Sequence, residues 1–131
     1  MNAPEKHYTG RYLGLVEREG WEYASRTNAH AVAVIVPVTA AGELVLVEQY
    51  RIPVQCRTIE LPAGLVGDGA DPEEPLEPAA RRELLEETGF EAADMRRVLE
   101  CPSSAGLTDE AITFFLATGL TRVAAGGGDD S

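Results

Sequence analysis

The alternation of apolar and polar positions divides the first half of the chain into short strands. Residues 10–26 alternate loosely around the sequence EREG, which predicts a β-hairpin with its turn at Gly20. The continuous apolar run at 31–38 predicts a strand that is buried on both faces. Residues 44–51 predict a second strand, and we expect it to form a hairpin with the first. A further short strand is expected within 57–64, ending in a loop of Pro and Gly.

One helix is predicted in the second half of the chain, after a loop rich in Gly and Pro at 64–78. It begins at about Pro75 or Pro78, because proline is tolerated in the first turn of a helix. It ends at Gly89, since glycine is typical of the residue that follows a helix. Its apolar stripe, with a spacing of four, consists of Leu76, Ala80 and Leu84.

Two more strands are predicted at 94–101 and 111–120, on either side of a polar loop. Strands before and after one dominant helix indicate a mixed α/β or α+β sheet. The 131 residues suit a single domain. Within it we expect an N-terminal hairpin at 10–30, a core at 31–120 and a flexible, low-complexity tail at 121–131.

Composition and charge exclude several classes of partner. The formal net charge is −11, from 22 acidic and 11 basic residues, whereas proteins that bind nucleic acid need a basic face. No run reaches the 18 or more apolar residues of a membrane span, and the N-terminus lacks the apolar core of a signal peptide. We therefore expect a cytoplasmic protein without a nucleic-acid or membrane partner, in which Cys56 and Cys101 are reduced thiols.

Acidic residues are concentrated in the segment from Asp68 to Glu91, which includes the predicted helix. The segment RRELLEETGF at 81–90 places Glu83, Glu86 and Glu87 within five positions, where like charges repel each other. Spacing alone leaves two interpretations open. The glutamates form either a solvated acidic face that the neighbouring arginines balance, or a site for a hard divalent cation that prefers oxygen ligands.

The context of these glutamates resembles the Nudix box of the Nudix hydrolases. The sequence ELPAG stands upstream, Glu74 lies eight positions before Arg82, and RELLEETGF follows the box pattern to its final apolar position. Nine residues instead of five separate Gly64 from Glu74, which we interpret as a longer loop, since insertion there is cheap. The resemblance implies a Nudix-type mixed β-sheet sandwich. The C-terminal strand and helix of that pattern have no counterpart here, so we expect the natural chain to continue.

The resemblance also implies a metal site. Mg²⁺ (or Mn²⁺) would be held mainly by Glu83 and Glu87, with Glu86 completing the cluster and the backbone carbonyl of Ala63 as a further ligand. Arg82 would orient a glutamate by a bidentate contact. The four side chains expected to take part in catalysis are thus Arg82, Glu83, Glu86 and Glu87.

Further stretches resemble the ADP-ribose and ADP-sugar pyrophosphatase branch of the family. An arginine twelve positions before the PAG alanine meets the diphosphate in that branch, and here it is Arg51. Gly64 would let the backbone approach the metal and the phosphates, and we expect Leu65 beside it to contact the substrate. Glu74 would support the connection between loop and helix.

The sequence GWEYASR resembles the adenine-binding strand of the same branch. The resemblance implies that Trp21 stacks on the base while Glu22 and Arg26 hold its edge. In a regular strand Trp21 and Arg26 point to opposite faces, so a bulge or bend is required. In similar enzymes this N-terminal segment crosses to the other subunit, which implies a homodimer.

The expected reaction is metal-dependent hydrolysis of the pyrophosphate bond of ADP-ribose or a related ADP-sugar, which gives AMP and a sugar phosphate. The branch uses a glutamate on a C-terminal loop to handle the attacking water, but no glutamate follows Glu110 here, and Asp129 and Asp130 are shorter. Two alternatives remain. The chain is a Nudix hydrolase of another nucleoside diphosphate derivative, or it is a module that senses a nucleotide without cleaving it.

Overall fold

A four-stranded mixed sheet forms the centre of the computed structural model, which describes residues 3–67 and 74–127. Its strands lie in the order β7, β4, β9, β8, with bounds Ala63–Val66, Ala31–Pro37, Ala111–Arg122 and Phe90–Pro102. Strand β4 runs parallel to β9, and the other two pairings are antiparallel. The apolar, β-branched sequence of β4 suits this central position, because most of its side chains are buried.

Helix α1 (Leu76–Thr88) lies across one face of this sheet and provides much of the core. Its buried residues Ala80 and Leu84 pack in one apolar cluster with Ile35 from β4 and Phe115 from β9. The helix ends at Gly89, whose φ of 78° lies in the left-handed region that glycine adopts without strain. The predicted helix, its apolar stripe and its last residue are confirmed.

Two smaller sheets flank the central one. The N-terminal sheet contains β1 (Glu5–Thr9), β2 (Leu13–Arg18) and β3 (Trp21–Arg26) in that order. The predicted hairpin at 10–26 is confirmed as β2 and β3, with positive φ at Glu19 and Gly20 as a tight two-residue turn requires. The third sheet pairs β5 (Val47–Arg51) with β6 (Cys56–Glu60) across a short 3₁₀ turn at Ile52–Val54.

The predicted hairpin of 31–38 with 44–51 forms only next to its turn. The chain reverses after β4 as expected, since Thr39 N–H donates to Glu43 O and Val38 forms a bridge with Leu44. Strand β5 then pairs with β6 and not with β4. Strand β7 pairs with Ala31–Val34 and β9 takes the other edge of β4, so only the end of β4 at Pro37 and Val38 remains for the segment that leads into β5.

Two other parts of the chain differ from the prediction. Residues 63–66 form β7 at the edge of the central sheet, although the sequence was expected to be loop from 64 onward. Strand β1 was not predicted, because EKHYT is almost entirely polar and exposed throughout. The tail was expected to begin at 121, but β9 continues to Arg122; residues 128–131, like 68–73, lie outside the described part of the chain. Within that part, no helix has the length and apolar character to cross a membrane.

Candidate metal and phosphate site

The second half of α1 lies beside the start of β7, and this juxtaposition builds the site. Glu83 and Glu87 are one helical turn apart and both face β7. The carboxylate of Glu83 lies over Gly64, where an added Cβ would stand only 2.0 Å from Glu83 Cδ. The backbone N–H of Ala63 donates to Glu87 Oε2 at 3.3 Å. A side chain at position 64 would therefore displace Glu83, which explains the glycine.

Arg82 links the carboxylates of the helix to the loop before it. Its Nη1 lies 2.8 Å from Glu74 Oε2, and its Nη2 lies 3.1 Å from Glu83 Oε1. The buried Nε has no hydrogen-bond partner among the described residues, and its distance to Glu86 Oε1 is 3.9 Å. Glu74 also accepts a hydrogen bond from Gly67 N–H at 3.4 Å. Arg82 thus contacts three glutamates, and Glu74 links Gly67, just after β7, to Arg82 of α1.

Burial makes negative charge unfavourable at the two inner glutamates. It raises the pKa of Glu83 to about 7, against the lowering effect of Arg82, while Glu86 and Glu87 raise it further. Burial also raises the pKa of Glu87, whereas the Ala63 N–H and then the charge of Arg51 lower it. Glu86 is different, because about half of its side chain is exposed at the edge of the cluster. The fold therefore holds two carboxylates where additional positive charge would be stabilising.

The donor set at α1 suits a hard divalent cation. Carboxylate and carbonyl oxygens are the ligands that Mg²⁺ prefers, and Mg²⁺ keeps several waters, so two or three protein oxygens suffice. The charge of Arg82 does not offset the effect of burial on Glu83. A cation beside Glu83 would favour the charged carboxylate in the same direction as Arg82. Within the described residues, one group of three side chains has potential ligand atoms that all lie within 4.8 Å of one another. It comprises Glu5, His7 and Glu17 of the N-terminal sheet, so the helix glutamates are spaced more widely than that.

Arg51 is held at the side of the site by Glu60. Arg51 Nε and Nη2 donate to the two carboxylate oxygens of Glu60, both at 2.8 Å. The hydroxyl of Thr58 also donates to Glu60. Arg51 was predicted from the sequence, whereas Glu60 was not. The signal lies in the register of the β5–β6 pair, which puts Arg51, Thr58 and Glu60 on one face, and the predicted pairing of β5 with β4 hid it.

The three residues expected at the adenine do not share a face in this structure. Over residues 13–26 the β2–β3 ladder runs without a register shift, so the bulge that would bring Trp21 and Arg26 together is not formed. The indole N–H of Trp21 donates to Gly106 O at 3.0 Å, and Arg26 pairs with Glu110. Glu22 is exposed opposite Glu17. Their role at the base stays a prediction.

Strand β3 is joined to the loop at 103–110 by several contacts. Ala24 N–H donates to Leu107 O at 2.8 Å, and the hydroxyl of Ser25 donates to Asp109 at 3.0 Å. A cavity of about 470 Å³ opens beside this loop, lined among others by Cys101 and Glu110. The lining does not include the helix glutamates, so the cavity is separate from them. Both cysteines are free, as expected.

The chain is similar in sequence to several known proteins. The ADP-ribose pyrophosphatase of Bacillus subtilis (strain 168) is 38% identical over 126 residues, which are 91% of this chain and 65% of that protein. The methanol dehydrogenase activator of Bacillus methanolicus is 40% identical over 125 residues, 90% of this chain and 65% of that protein. The ADP-sugar pyrophosphatase of Mus musculus is 43% identical over 105 residues, 77% of this chain and 41% of that protein. The chain thus spans less than two thirds of the length of these relatives.

A solved structure has the same fold. It is described as the crystal structure of an ADP compounds hydrolase, and it superimposes with a TM-score of 0.72 at 21% identity, covering 100% of this chain and 75% of that one. The mixed sheet with a single packed helix predicted from the sequence is confirmed by this likeness. The NUDIX domain profile matches residues 29–124, which contain both the Gly64 loop and the glutamate helix. The chain belongs to the NUDIX domain family.

Proposed function

We propose that this chain hydrolyses the pyrophosphate bond of ADP-ribose or a related ADP-sugar in the presence of Mg²⁺ or Mn²⁺, giving AMP and a sugar phosphate. The observation that carries the proposal is the placement of Glu83 and Glu87 directly over Gly64 and Ala63, where backbone and carboxylates meet. Relatives named as ADP-ribose and ADP-sugar pyrophosphatases support the choice of substrate class.

Different residues of the site would bind the cation, position its ligands and contact the substrate. Glu83 and Glu87, with Glu86 and the carbonyl of Ala63, would hold the cation. When bound, the cation would neutralise phosphate oxygens and activate a water molecule. Arg82 holds Glu83 in place through Nη2. Gly64 leaves room for the carboxylate of Glu83 and would let the phosphates approach the cation beside it, while Leu65 would contact the substrate.

The remaining substrate contacts are proposed from the same branch. Arg51 would bind the diphosphate, since a guanidinium presents paired N–H donors to phosphate oxygens. Trp21 is 62% exposed and would stack on adenine, while Glu22 and Arg26 would hydrogen-bond the edge of the base. The group that handles the attacking water has no candidate glutamate after Glu110 in this sequence.

We further propose a cytoplasmic homodimer. Two free cysteines are ordinary in a reducing compartment. Large apolar side chains stand exposed on the N-terminal sheet and on the β5–β6 pair, which is typical of surfaces that become buried in an assembly. Exchange of the N-terminal hairpin between subunits would bring Trp21 of one subunit to the site of the other.

A substrate panel separates this function from its alternatives. Release of AMP from ADP-ribose with Mg²⁺ supports the proposal. Faster turnover of GDP-mannose would favour another nucleoside diphosphate derivative, as in the GDP-mannose pyrophosphatase of Escherichia coli that is 33% identical over 123 residues. Binding of ADP-ribose without turnover, with either Mg²⁺ or Mn²⁺, would favour a nucleotide sensor.

Replacement of the inner glutamates tests the proposed catalytic site. Glu83→Gln and Glu87→Gln each remove one charged ligand and keep the size of the side chain, so we expect turnover of ADP-ribose to fall by roughly 100-fold or more. The melting temperature should stay unchanged or rise slightly, because repulsion is relieved. Glu77→Gln, in the first turn of the same helix, is the matched control and should keep activity. Activity like that of the wild type in either inner variant would contradict the proposal.

A further inference from the structure

The β5–β6 pair has two different faces, and the charged residues are divided between them. Val47, Gln49 and Arg51 alternate with Glu48 and Tyr50 along β5. The register places Gln49 opposite Thr58 and Val47 opposite Glu60, so Arg51, Thr58 and Glu60 belong to one face. Thr58 and Glu60 are half-buried, whereas their neighbours on the other face of β6 are exposed. We call the half-buried side the inner face.

The inner face points its charges at the proposed metal site. The charges of Arg51 and Glu60 both act on Glu87, in opposite directions. Glu60 is the last residue of β6 and precedes Ala63 by three positions, and the Ala63 N–H donates to Glu87. This end of the inner face therefore lies next to the start of β7 and the end of α1. Arg51 is therefore within electrostatic reach of the carboxylates and, under the proposed function, of the phosphates they would meet.

Glu60 fixes the guanidinium of Arg51 and leaves part of it available. A guanidinium has five N–H donors. Nε–H and one N–H of Nη2 are used on the two oxygens of Glu60, and among the described residues the remaining donors of Arg51 have no hydrogen-bond acceptor. Because the hydrogen bonds from Arg51 hold the pKa of Glu60 below its ordinary value, the pair is fully charged at neutral pH. Thr58 holds Glu60 from a second direction.

We propose that Glu60 is a positioning residue that holds Arg51 in the orientation needed to bind the diphosphate of the substrate. The inference rests on the proposed function, because Arg51 acquires this task only if the site takes a nucleoside diphosphate compound. Without Glu60 the long arginine side chain would sample several rotamers. Fixing one of them when the substrate binds would cost conformational entropy and weaken the binding. Glu60 acts through Arg51 and does not itself touch the substrate.

The test is a double-mutant cycle on Arg51 and Glu60, measured with ADP-ribose and Mg²⁺. We expect Glu60→Gln to raise KM roughly 10-fold with a smaller change in kcat, since a supporting partner is lost. Glu60→Asp keeps the charge and should restore part of the affinity. In an Arg51→Ala background, Glu60→Gln should cause no further loss, because the residue it positions is gone. Glu48→Gln is the matched control, since Glu48 pairs with Arg57 across the exposed face of the same two strands.

Several outcomes would overturn the inference. A KM of Glu60→Gln equal to that of Glu48→Gln would do so, and so would a loss that is fully additive with Arg51→Ala. A shift in the Mg²⁺ concentration for half-maximal activity, without a change in KM, would place Glu60 on the cation and not on Arg51. Melting temperatures identify any variant that fails to fold. If Glu60→Gln does not fold, the KM of Glu60→Asp is compared with that of Glu48→Gln instead.

A failure of the proposed function has a different signature. If the wild type does not hydrolyse ADP-ribose, calorimetric binding of ADP-ribose with Ca²⁺ still compares the variants. Weaker binding by Glu60→Gln than by Glu48→Gln would then support the positioning role while the reaction is rejected. Absence of both turnover and binding in the wild type would overturn both proposals together.

Discussion

At the scale of single residues, the site depends on charges held where the fold disfavours them. Glu83 is the clearest example, because its carboxylate lies against Gly64 with Arg82 as its cationic neighbour. Its pKa in the folded protein is raised from 4.5 to about 7. The folded state therefore binds more protons than the unfolded state between these two values. Stability from this group is present below about pH 4.5 and is lost as pH rises through about 7.

This sign gives a prediction for the metal-free protein. The melting temperature of Glu83→Gln minus that of the wild type should be small at about pH 5, where Glu83 is protonated, and clearly positive at about pH 8, where the wild type carries the buried charge. Thermal unfolding in EDTA across this range measures the difference. Glu77→Gln, at an exposed position in the first turn of the same helix, is the control variant for this comparison. If the difference for Glu83→Gln is constant with pH, the folded protein does not disfavour the charge of Glu83, and the prediction is wrong.

Some residues of the site could be predicted from the sequence, and others could not. The box pattern selected Glu83, Glu87 and Gly64, and the structure brings these three together. It did not select Glu60, because a bidentate contact between two strands depends on the pairing register. The sequence had assigned β5 to the wrong partner, so the faces of β6 could not be deduced. The separate positions of Trp21 and Arg26 depend in the same way on the regular ladder of β2 with β3.

At the scale of elements, the two glycines next to the glutamates of α1 have different structural roles. An added Cβ at Gly64 would meet the flexible end of Glu83 at 2.0 Å. An added Cβ at Gly89 would meet the backbone oxygen of Ala124 at 2.1 Å, at a φ of 78°. The carbonyl of Gly89 accepts hydrogen bonds from Val123 N–H and Ala124 N–H. Gly89 thus joins the end of α1 to the segment that follows β9.

The two glycine positions should therefore separate activity from stability. Gly89→Ala should destabilise the fold by roughly 1–3 kcal/mol, because the strained φ and the backbone contact cannot relax by a rotamer change. Gly64→Ala should cost much less stability but most of the activity, since Glu83 moves aside. Denaturant unfolding and turnover of ADP-ribose, measured on both variants, check this. Equal losses of stability in the two variants would contradict the distinction.

Elements were predictable wherever periodicity and turn chemistry agreed. The helix, its end at Gly89, the β2–β3 hairpin and the strands on either side of the 103–110 loop follow from such local signals. The pairing of β4 with β7 and β9 is decided by contacts between distant segments, and local propensity contains no information about them. Strand β7 was missed because its sequence AGLV is held extended by β4.

At the scale of the whole molecule, exposed apolar surface is difficult to reconcile with an isolated chain. The outer side of the β5–β6 pair and its turn expose Tyr50 (55%), Ile52 (77%), Val54 (60%) and Ile59 (63%). Neighbouring apolar side chains in such numbers mark an interaction surface more often than ordinary solvent-facing positions. The net charge of −11 opposes self-association at long range, so any association must come from short-range burial of such a surface.

We expect the protein to sediment as a dimer at micromolar concentration, through a contact that includes this outer side. Ile59→Ser should shift the equilibrium toward monomer, because it removes apolar area from the contact and leaves the fold intact at an exposed position. Leu107→Ser is the control, since Leu107 is 65% exposed but lies on the 103–110 loop. A shift with Leu107→Ser alone would place the interface at that loop and the N-terminal sheet, where Trp21 contacts Gly106. A wild type that sediments as a monomer would reject the dimer, and the exposed side chains would then need another partner.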